Sequence, residues 1–289
     1  MSTRIAFLKG HGTENDFVIV PDPENTLDLP PAAVAALCDR RAGIGGDGLL
    51  HVVRSAAHPE ARGMAAEAEW FMDYRNGDGS VAEMCGNGVR VFARYLQRAG
   101  HAVEGDLAVA TRGGVKTVHL AKNGDVTVGM GRALLPEGEV TVRVGERSWP
   151  ATHVNMGNPH AVAFVDDLAH AGDLHTAPPV APATAYPDGV NVEFVVDRGP
   201  GHVAMRVHER GSGETRSCGT GACAVAVAAA RRDAADPAVT GTPATYTVDV
   251  PGGTLVITER SDGEIEMTGP AVIVGEGEID LAWLENATR

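Results

Sequence analysis

The amino-acid sequence predicts an α+β protein of two pseudo-symmetric domains, each a barrel-like mixed or antiparallel β-sheet wrapped around a central hydrophobic helix. Short β-like runs dominate the 289 residues, and helical segments are few. Residues 222 to 230, "ACAVAVAAA", would form a helix with no polar face, so other structure must surround it. The pattern Cys-Gly-x-Gly followed by helix-like residues occurs twice, starting at Cys85 and at Cys218.

The strand predictions rest on runs rich in β-branched and aromatic residues that are bounded by turn residues. Asn123-Gly124-Asp125 and Gly252-Gly253 are hairpin signals. The predicted strand regions are residues 16–20, 48–53, 69–75, 107–111, 115–130, 140–144, 161–165, 190–196, 202–210, 246–259 and 264–274.

Helices are predicted over residues 29–41, where the prolines suit a first turn, after Cys85, after Cys218, and near residues 281–285. Arg40 and Arg41 would then form a charge pair at a helix C-terminus.

An internal duplication is predicted because Asn76 and Glu209 each lie nine positions before their own cysteine. The first domain is predicted over residues 1–131, with residues 276–289 returning to it, and the second over residues 132–275. A pair of reactive groups, one per copy, suggests a single site related by a pseudo-twofold axis.

The formal net charge of −14 argues against nucleic acid or an anionic membrane surface as a partner, because both require a basic surface. A small anionic substrate stays possible, since local dipoles can bind it. The first residues hold no apolar core long enough for a signal peptide, and no apolar run could span a bilayer. We therefore expect a cytoplasmic protein.

Four cysteines in a chain of this length and in a reducing compartment do not indicate a disulfide framework. Cys38 and Cys223 are predicted to be small buried hydrophobic residues. Cys85 and Cys218 differ, because each would begin a helix whose first N–H groups and dipole stabilise a thiolate. The adjacent glycines would let those N–H groups hold a carboxylate.

The matched pair of thiols favours one reaction type. Nucleophilic catalysis needs a single activated thiol, redox chemistry favours a close Cys-x-x-Cys, and zinc needs about four ligands. The sequence has neither a Cys-x-x-Cys nor a Cys/His cluster with metal-ligand spacing, so no metal is expected. Inversion at a carbon atom does use two acid–base groups, one on each face.

Such inversions often use pyridoxal phosphate bound to a lysine. The three lysines, Lys9, Lys116 and Lys122, lie in no recognisable cofactor loop. The residues therefore favour an epimerase without any cofactor, acting on a small-molecule amino-acid substrate.

The sequence resembles the diaminopimelate epimerases along nearly its whole length. The motifs that carry the resemblance are "HGTENDF" (11–17), "NGDGSVAEMCGNG" (76–88), "MGNPHAV" (156–162), "NVEF" (191–194) and "ERGSGETRSCGTGACA" (209–224). The resemblance implies cofactor-independent interconversion of LL- and meso-diaminopimelate for lysine and cell-wall precursors, and a homodimer.

The resemblance also implies roles for single residues. Cys85 and Cys218 would be the acid–base pair, with Cys85 as donor and Cys218 as acceptor in the LL-to-meso direction. His160 and Glu209 would tune the thiol pKa values. The substrate-binding residues implied are Asn15, Asn76, Gly86, Asn87, Asn158, Asn191, Glu209, Arg210, Gly219 and Thr220.

Two positions depart from the family pattern. Glu14 occupies a position where the family usually has glycine, beside Asn15, and Gly48 occupies one where some members have a substrate-binding glutamine. That glutamine contact must be absent here or made by water.

Other interpretations stay open at this point. The scaffold could serve as a racemase of another amino acid. Cys85 and Cys218 could instead form the disulfide of a thiol-redox protein, or the protein could bind an amino acid without catalysis. Taken singly, His160 could be a satisfied buried histidine, and Glu209 with Arg210 a solvated ion pair.

Overall fold

The computed structural model describes residues 4–288, which form two compact units. The first unit contains the chain up to Val128 and again from Pro270, and the second is Gly129–Gly269. The sequence placed these boundaries at residues 131/132 and 275/276. The predicted α+β fold with few helices is confirmed.

The first unit is built on eight strands. These are β1 (Arg4–Gly12), β2 (Asn15–Pro21), β3 (Gly48–Arg54), β4 (Trp70–Asn76), β5 (Gly105–Thr111), β6 (Gly114–Leu120), β7 (Asp125–Arg132) and β18 (Val272–Asp280). Following the hydrogen-bonded neighbours gives the order β18, β1, β2, β3, β4, β5, β6, β7.

The second unit has eight main strands and two short ones. They are β8 (Val140–Val144), β9 (Arg147–Asn155), β10 (Pro159–Phe164), β11 (Val180–Ala181), β12 (Asn191–Gly199), β13 (His202–Glu209), β14 (Gly213–Glu214), β15 (Ala244–Val250), β16 (Gly253–Glu259) and β17 (Glu264–Pro270). The order of the main strands is β8, β9, β10, β12, β13, β15, β16, β17.

The two units share one sequence of strand pairings. In each order the successive pairs are antiparallel, antiparallel, parallel, antiparallel, parallel, antiparallel and antiparallel. β2 and β3 of the first unit therefore correspond to β10 and β12 of the second. Asn76 and Glu209 end the corresponding strands β4 and β13. The repeat seen in the sequence is thus a repeat of strand topology.

Five α-helices and four 3₁₀ turns accompany the strands in residues 4–288. The α-helices are α1 (Pro31–Cys38), α2 (Gly86–Arg98), α3 (Gly219–Arg232), α4 (Pro237–Thr240) and α5 (Leu281–Ala287). The 3₁₀ turns are Ser55–Ala57, Arg62–Met64, Leu168–Ala171 and Ala183–Ala185. None of the helices is both long and apolar enough to traverse a bilayer, as far as the described residues extend.

Helices α2 and α3 connect the parallel strand pairs β4–β5 and β13–β15. Residues 222 to 230 are all buried in α3, as the absence of a polar face predicts. α3 packs against β9, β10, β12, β13, β15 and β16, and α2 against β1 to β4, β6 and β18. Each of these helices is therefore surrounded by the strands of its own unit, and Cys38 and Cys223 are buried as predicted.

Two long strands, β1 and β9, were not predicted. β1 carries a lysine and two glycines, which weaken a strand pattern. β9 contains Pro150, which lacks a donor for the sheet. The register of β10 on β9 stops at Ala151, so Pro150 faces no β10 partner and the strand tolerates it.

The predicted charge pair at the end of α1 is wrong. α1 ends at Cys38 with no basic residue in its last turn. Arg40 instead binds the carboxylates of Asp16 (2.6 Å) and Asp47 (2.8 Å), which lie at the start of β2 and just before β3. Carboxylates brought together by the sheet attract Arg40 more strongly than the weak dipole of an eight-residue helix does.

A buried charge network joins β3 to β4. His51 contacts Asp22 through Nε2 (3.0 Å) and Asp73 through Nδ1 (3.2 Å), and Arg75 (2.7 Å) and Arg112 (2.8 Å) donate to Asp73. Burial alone would raise the pKa of Asp73, but these donors bring it well below the usual value.

Asp73→Asn is expected to lower the free energy of unfolding by about 3 kcal/mol at pH 7, because it leaves buried donors without a charge partner. The folded pKa of Asp73 lies below its unfolded value of about 3.9, so its contribution is complete above about pH 4 and is lost as the pH falls further. Urea unfolding from pH 7 to pH 2 should therefore show a shallower acid decline in the variant. Asp106→Asn, which removes an exposed carboxylate paired with His119, is the control and should behave like the wild type. Equal curves for Asp73→Asn and the wild type would contradict the role of the network.

Candidate active site

Cys85 is the N-cap of α2, with an extended backbone (φ −137°, ψ 115°). Its sulfur accepts a hydrogen bond from the N–H of Gly88 at 3.4 Å. Gly86 and Asn87 form the buried first turn of the helix. This geometry matches the prediction of a thiol at a helix start, where the peptide dipoles favour negative charge.

The side chain of Asn15 links the β1–β2 turn to this helix. Its Oδ1 accepts from the thiol of Cys85 (3.5 Å) and from Nδ2 of Asn87 (3.2 Å). Its Nδ2 donates to Asp47 (2.8 Å), which is held by Arg40. Asp47 therefore sets the direction of the Asn15 amide, so that the carbonyl oxygen faces the thiol.

The turn that presents Asn15 consists of Thr13 and Glu14, both with positive φ (50° and 62°). A two-residue hairpin with positive φ at both positions matches the twist of its strands. Glycine is the usual residue in that conformation. Glu14 therefore occupies a backbone position that favours the glycine of the family pattern. Glu14 itself is exposed.

Asn76 lies at the end of β4, and its amide is engaged inside its own loop. Tyr74 donates its hydroxyl to Oδ1 (3.0 Å), and Nδ2 donates to Ser80 (3.0 Å). The ring of Tyr74 also explains Gly48: a Cβ there would lie 2.8 Å from Tyr74 Cε2 and 2.6 Å from the carbonyl of Arg75. A glutamine at this position would require backbone movement.

Cys218 is the N-cap of α3 and is 4% exposed. Its sulfur accepts from the N–H of Gly221 (3.3 Å) and lies 3.5 Å from the hydroxyl of Thr220. Gly219 and Thr220 begin the helix, where N–H groups have no acceptor within the helix. The two thiols thus occupy the same place in the two repeats.

The pKa of the Cys218 thiol is nevertheless raised well above its usual value. Burial is the main cause, and the negative charges of Glu209 and Glu193 add to it. The donors Thr220 and Gly221 act in the opposite direction. The expected stabilisation of the thiolate by the helix start is present at Cys218, but burial outweighs it.

Glu209 ends β13 and accepts a hydrogen bond from the hydroxyl of Thr215. Burial raises the pKa of Glu209, while its hydrogen bonds with Thr215 and Cys218 lower it. Arg210, by contrast, is exposed and donates to the carbonyl of Asp188 (3.2 Å). The adjacent charges therefore do not form a solvated ion pair: Glu209 faces Cys218 and Arg210 faces a loop.

His160 is fully buried and binds through both ring nitrogens. Nδ1 contacts Glu193 at 2.6 Å, and Nε2 contacts Oδ1 of Asn158 at 3.1 Å. Nδ2 of Asn158 in turn donates to the hydroxyl of Thr220 (3.3 Å). His160, Asn158 and Thr220 are thereby brought together beside Cys218.

Asn191, at the start of β12, has both amide groups bound to the backbone. Nδ2 donates to the carbonyl of Pro159 (2.9 Å), and Oδ1 accepts from the N–H of Arg210 (2.9 Å). It therefore fixes the start of the loop that follows Glu209 against the start of β10.

Sequence reasoning missed Asp47, Tyr74, Glu193 and Thr215 as partners of the site residues. Glu193 had a usable signal, because it is a lone charged residue in the apolar run 190–196. Asp47 and Thr215 had none, since only the folded loops bring them to Asn15 and Glu209. Within residues 4–288 no group of three His, Cys, Asp or Glu side chains could hold a metal ion.

Comparisons with known proteins agree on one family. The profile of the family described as diaminopimelate epimerase matches residues 7–135 and 152–274. A diaminopimelate epimerase from Streptomyces coelicolor is 90% identical over 285 residues, 99% of this chain and 99% of its own. One from Thermobifida fusca is 50% identical over 282 residues, 96% of this chain and 99% of its own.

Solved structures extend the comparison of the fold. A phenazine biosynthesis protein of the PhzF family from Bacillus anthracis matches with a TM-score of 0.71 and 15% identity, over 96% of this chain and 99% of its own. A hydroxyproline epimerase from Agrobacterium vitis, with bound trans-4-hydroxy-L-proline, matches with a TM-score of 0.67 and 13% identity, over 97% and 93%. Such low identities indicate a shared fold only.

Glu209→Gln is expected to lower the pKa of the Cys218 thiol by about one unit, because it removes a negative charge beside the sulfur. The measurement is the ultraviolet absorbance of the thiolate against pH, in a Cys85→Ala background so that Cys85 does not contribute. Glu214→Gln changes a carboxylate of the neighbouring strand β14 that pairs with Arg206, and it should leave the titration unchanged. A rise in the pKa for Glu209→Gln would refute this account of Cys218.

Proposed function

This chain belongs to the diaminopimelate epimerase family, and we propose on that premise that it interconverts LL-2,6-diaminopimelate and meso-diaminopimelate. The observation that carries the proposal is the pair of cysteines, Cys85 and Cys218, that cap equivalent helices in two units of the same topology. The family match spans both units, and the Streptomyces relative covers 99% of the chain.

The chemistry proposed is a two-base inversion. One thiolate removes the α-proton from the substrate, and the thiol of the other cysteine returns a proton to the opposite face of the same carbon. By analogy Cys218 accepts and Cys85 donates in the LL-to-meso direction, and the roles exchange in reverse. No external acid or base is consumed, because each turnover leaves one thiol and one thiolate.

The reacting carboxylate gains negative charge as the α-carbon becomes carbanion-like. The first turns of α2 and α3, through Gly86, Asn87, Gly219 and Thr220, offer N–H groups and positive dipole ends for that charge. We propose that these turns replace the electron sink of pyridoxal phosphate, so that the reaction needs no cofactor.

The proposed roles of the other polar residues follow their contacts. Glu209, bonded to Cys218, tunes this thiol, and His160 belongs to the same cluster. Asn15 orients the thiol of Cys85. Asn76, Asn158 and Arg210 are proposed to bind the zwitterionic ends of the substrate. Asn191 is proposed to support them through the loop, since its amide is bound to the backbone on both sides.

The proposed setting is the cytoplasm, where diaminopimelate serves lysine and peptidoglycan precursor synthesis. A chain of 289 residues with four cysteines and no spacing typical of a disulfide framework suits a reducing compartment. The charge of −14 speaks against nucleic acid and anionic membranes as partners.

Incubation with LL-diaminopimelate in D₂O is expected to yield the meso isomer with deuterium at one α-carbon, followed by mass spectrometry and NMR. Cys85→Ala and Cys218→Ala should each lower kcat by about 10³-fold or more, because each removes one acid–base group. Cys223→Ala is the matched control: it changes a buried cysteine of α3, two turns or less from Cys218, and should retain activity.

Three results would count against the proposal. Absence of deuterium uptake would exclude the reaction. Near-normal turnover in either Cys85→Ala or Cys218→Ala would exclude the two-base mechanism. Faster exchange of another amino acid than of diaminopimelate would favour the alternative, a racemase on the same scaffold.

We also propose a homodimer, as the resemblance to the family implies. Light scattering after size-exclusion chromatography should give twice the chain mass of 30.0 kDa at micromolar concentration. A mass equal to that of one chain, unchanged on raising the concentration, would refute it.

A further inference from the structure

A continuous line of hydrogen bonds runs from a buried carboxylate to the thiol of Cys218. Glu193 contacts His160 (2.6 Å), His160 contacts Asn158 (3.1 Å), Asn158 donates to Thr220 (3.3 Å), and the Thr220 hydroxyl lies 3.5 Å from Cys218 Sγ. We refer to these five residues as the thiol network. All of them lie in the second unit.

The surroundings of the Glu193 side chain suit a carboxylate rather than an apolar group. Glu193 is fully buried, its Oε1 contacts His160, and its Oε2 has no hydrogen-bond partner among the described residues. A Cβ on Gly221 would lie 2.8 Å from Glu193 Oε1 and 3.2 Å from Cys218 Sγ. The glycine thus lets the carboxylate approach the first turn of α3, where the helix dipole favours negative charge.

The first unit shows that the fold does not require these charges. Phe17 faces Gly48 at the start of the β2–β3 pairing, as His160 faces Asn191 in the corresponding β10–β12 pairing. Two positions further along, the residues are Leu50 and Glu193.

Phe17 and Leu50 lie beside Gly88, the glycine of α2 that corresponds to Gly221 of α3. A Cβ on Gly88 would lie 3.3 Å from Leu50 and 3.6 Å from Phe17. The same place in the repeat is therefore filled by Phe and Leu beside Cys85, and by His and Glu beside Cys218. Burying a histidine and a carboxylate where an apolar pair would suffice costs stability, so a functional reason is indicated.

The partners of each group point to a distribution of the protons. Both nitrogens of His160 face oxygen atoms, Glu193 Oε1 and Asn158 Oδ1. We infer that both nitrogens donate, which makes the ring a cation paired with the carboxylate. Asn158 then donates to the oxygen of Thr220, which leaves the Thr220 hydroxyl proton to point at Cys218 Sγ. From His160 Nε2 onward, each donor in the thiol network is directed toward the sulfur, which suits a thiolate.

We propose that Glu193 is a positioning residue for the epimerisation proposed above: it keeps His160 doubly protonated, and the thiol network thereby presents a hydroxyl proton to the thiolate of Cys218. Without the carboxylate, His160 would lose the proton on Nε2 to solvent and become an acceptor. The Asn158 amide would then flip and accept from Thr220, and Cys218 would lose the hydroxyl donor while keeping the N–H of Gly221. The inference rests on the proposed function for its role in turnover, but the titration below tests it without turnover.

Other titratable groups face the thiol network. Glu209 faces Cys218, Tyr186 faces Glu193, and His153 faces His160. Burial and the charge of Glu193 raise the pKa of Tyr186 to about 12, and burial with the charge of His160 lowers the pKa of His153. Tyr186 and His153 are therefore neutral at pH 7, so neither adds a charge beside the thiol network.

The test uses the sign of a pKa change. As a nearby negative charge, Glu193 raises the pKa of Cys218, so its removal would lower that pKa. As the anchor of the thiol network, its removal takes away the cation on His160 and the donor on Thr220 as well, so the pKa rises. Thiolate absorbance is titrated in full-length Cys85→Ala with and without Glu193→Gln. We expect a rise of about one unit, a tenfold loss of thiolate at a given pH. A fall or no change would overturn the proposal.

Further variants separate this role from a structural one. Glu193→Asp keeps the charge and should restore part of the shift. In a Thr220→Val background, where the last donor is missing, Glu193→Gln should cause no additional rise. Glu259→Gln is the matched control, because Glu259 is buried against Arg231 at the opposite end of α3, and it should leave the titration unchanged. If Glu193→Gln fails to fold, His160→Phe with Glu193→Leu, which copies the first unit, replaces it and should also raise the pKa.

The failures of the two proposals are distinguishable. With both cysteines present, Glu193→Gln should lower kcat/KM about tenfold at neutral pH and recover toward the wild type as the pH rises. An inactive wild-type protein would refute the proposed function. The thiol titration would still test whether Glu193 positions the network. An active wild type with an unchanged pH profile in Glu193→Gln would defeat the inference alone.

Discussion

Each of the two candidate thiols is held by the same kind of backbone hydrogen bond at the start of its helix. The N–H of Gly88 holds the sulfur of Cys85, and the N–H of Gly221 holds the sulfur of Cys218. A sulfur can cap a helix in this way only if the cysteine is extended and the third helical residue turns its N–H back toward it. Because that residue is glycine, the sheet can approach the helix end until its side chains contact the same turn. The strand order of each unit, with its helix inserted at the parallel pair, delivers this arrangement.

The duplication gives the two units the same strand topology, but the side chains at equivalent positions differ. The position beside α2 holds an aromatic and an aliphatic side chain, whereas the position beside α3 holds a buried histidine hydrogen-bonded to a buried carboxylate. The surroundings of the two thiols differ in the same sense. Cys85 faces the amide of Asn15, which a carboxylate at the surface orients, and Cys218 faces hydroxyl and carboxylate groups in the interior. Equivalent backbones thus hold two thiols in different surroundings.

The sequence predicted those parts of the structure that local patterns encode. The wholly apolar run 222–230 implied a surrounded helix, and the two Cys-Gly-x-Gly segments implied matching helix starts; both predictions are confirmed. What escaped prediction depends on sheet register. His160 and Glu193 meet across 33 positions because β10 and β12 pair in parallel, and no local pattern reports that contact. Likewise, Arg40 binds carboxylates that the β2–β3 pairing brings together, which the helix pattern alone could not predict. The reason for glycine at position 48 is the nearby ring of Tyr74, which only the fold reveals.

The unequal filling of the two repeats has a stereochemical consequence. Under the two-base proposal, the substrate-free protein has two forms, one with each cysteine as the thiolate, and each form is ready for one isomer. The different surroundings of Cys85 and Cys218 give these forms different energies, so one isomer would meet the ready form more often than the other. At high concentrations of one isomer, conversion between the two substrate-free forms would then be a step of the catalytic cycle.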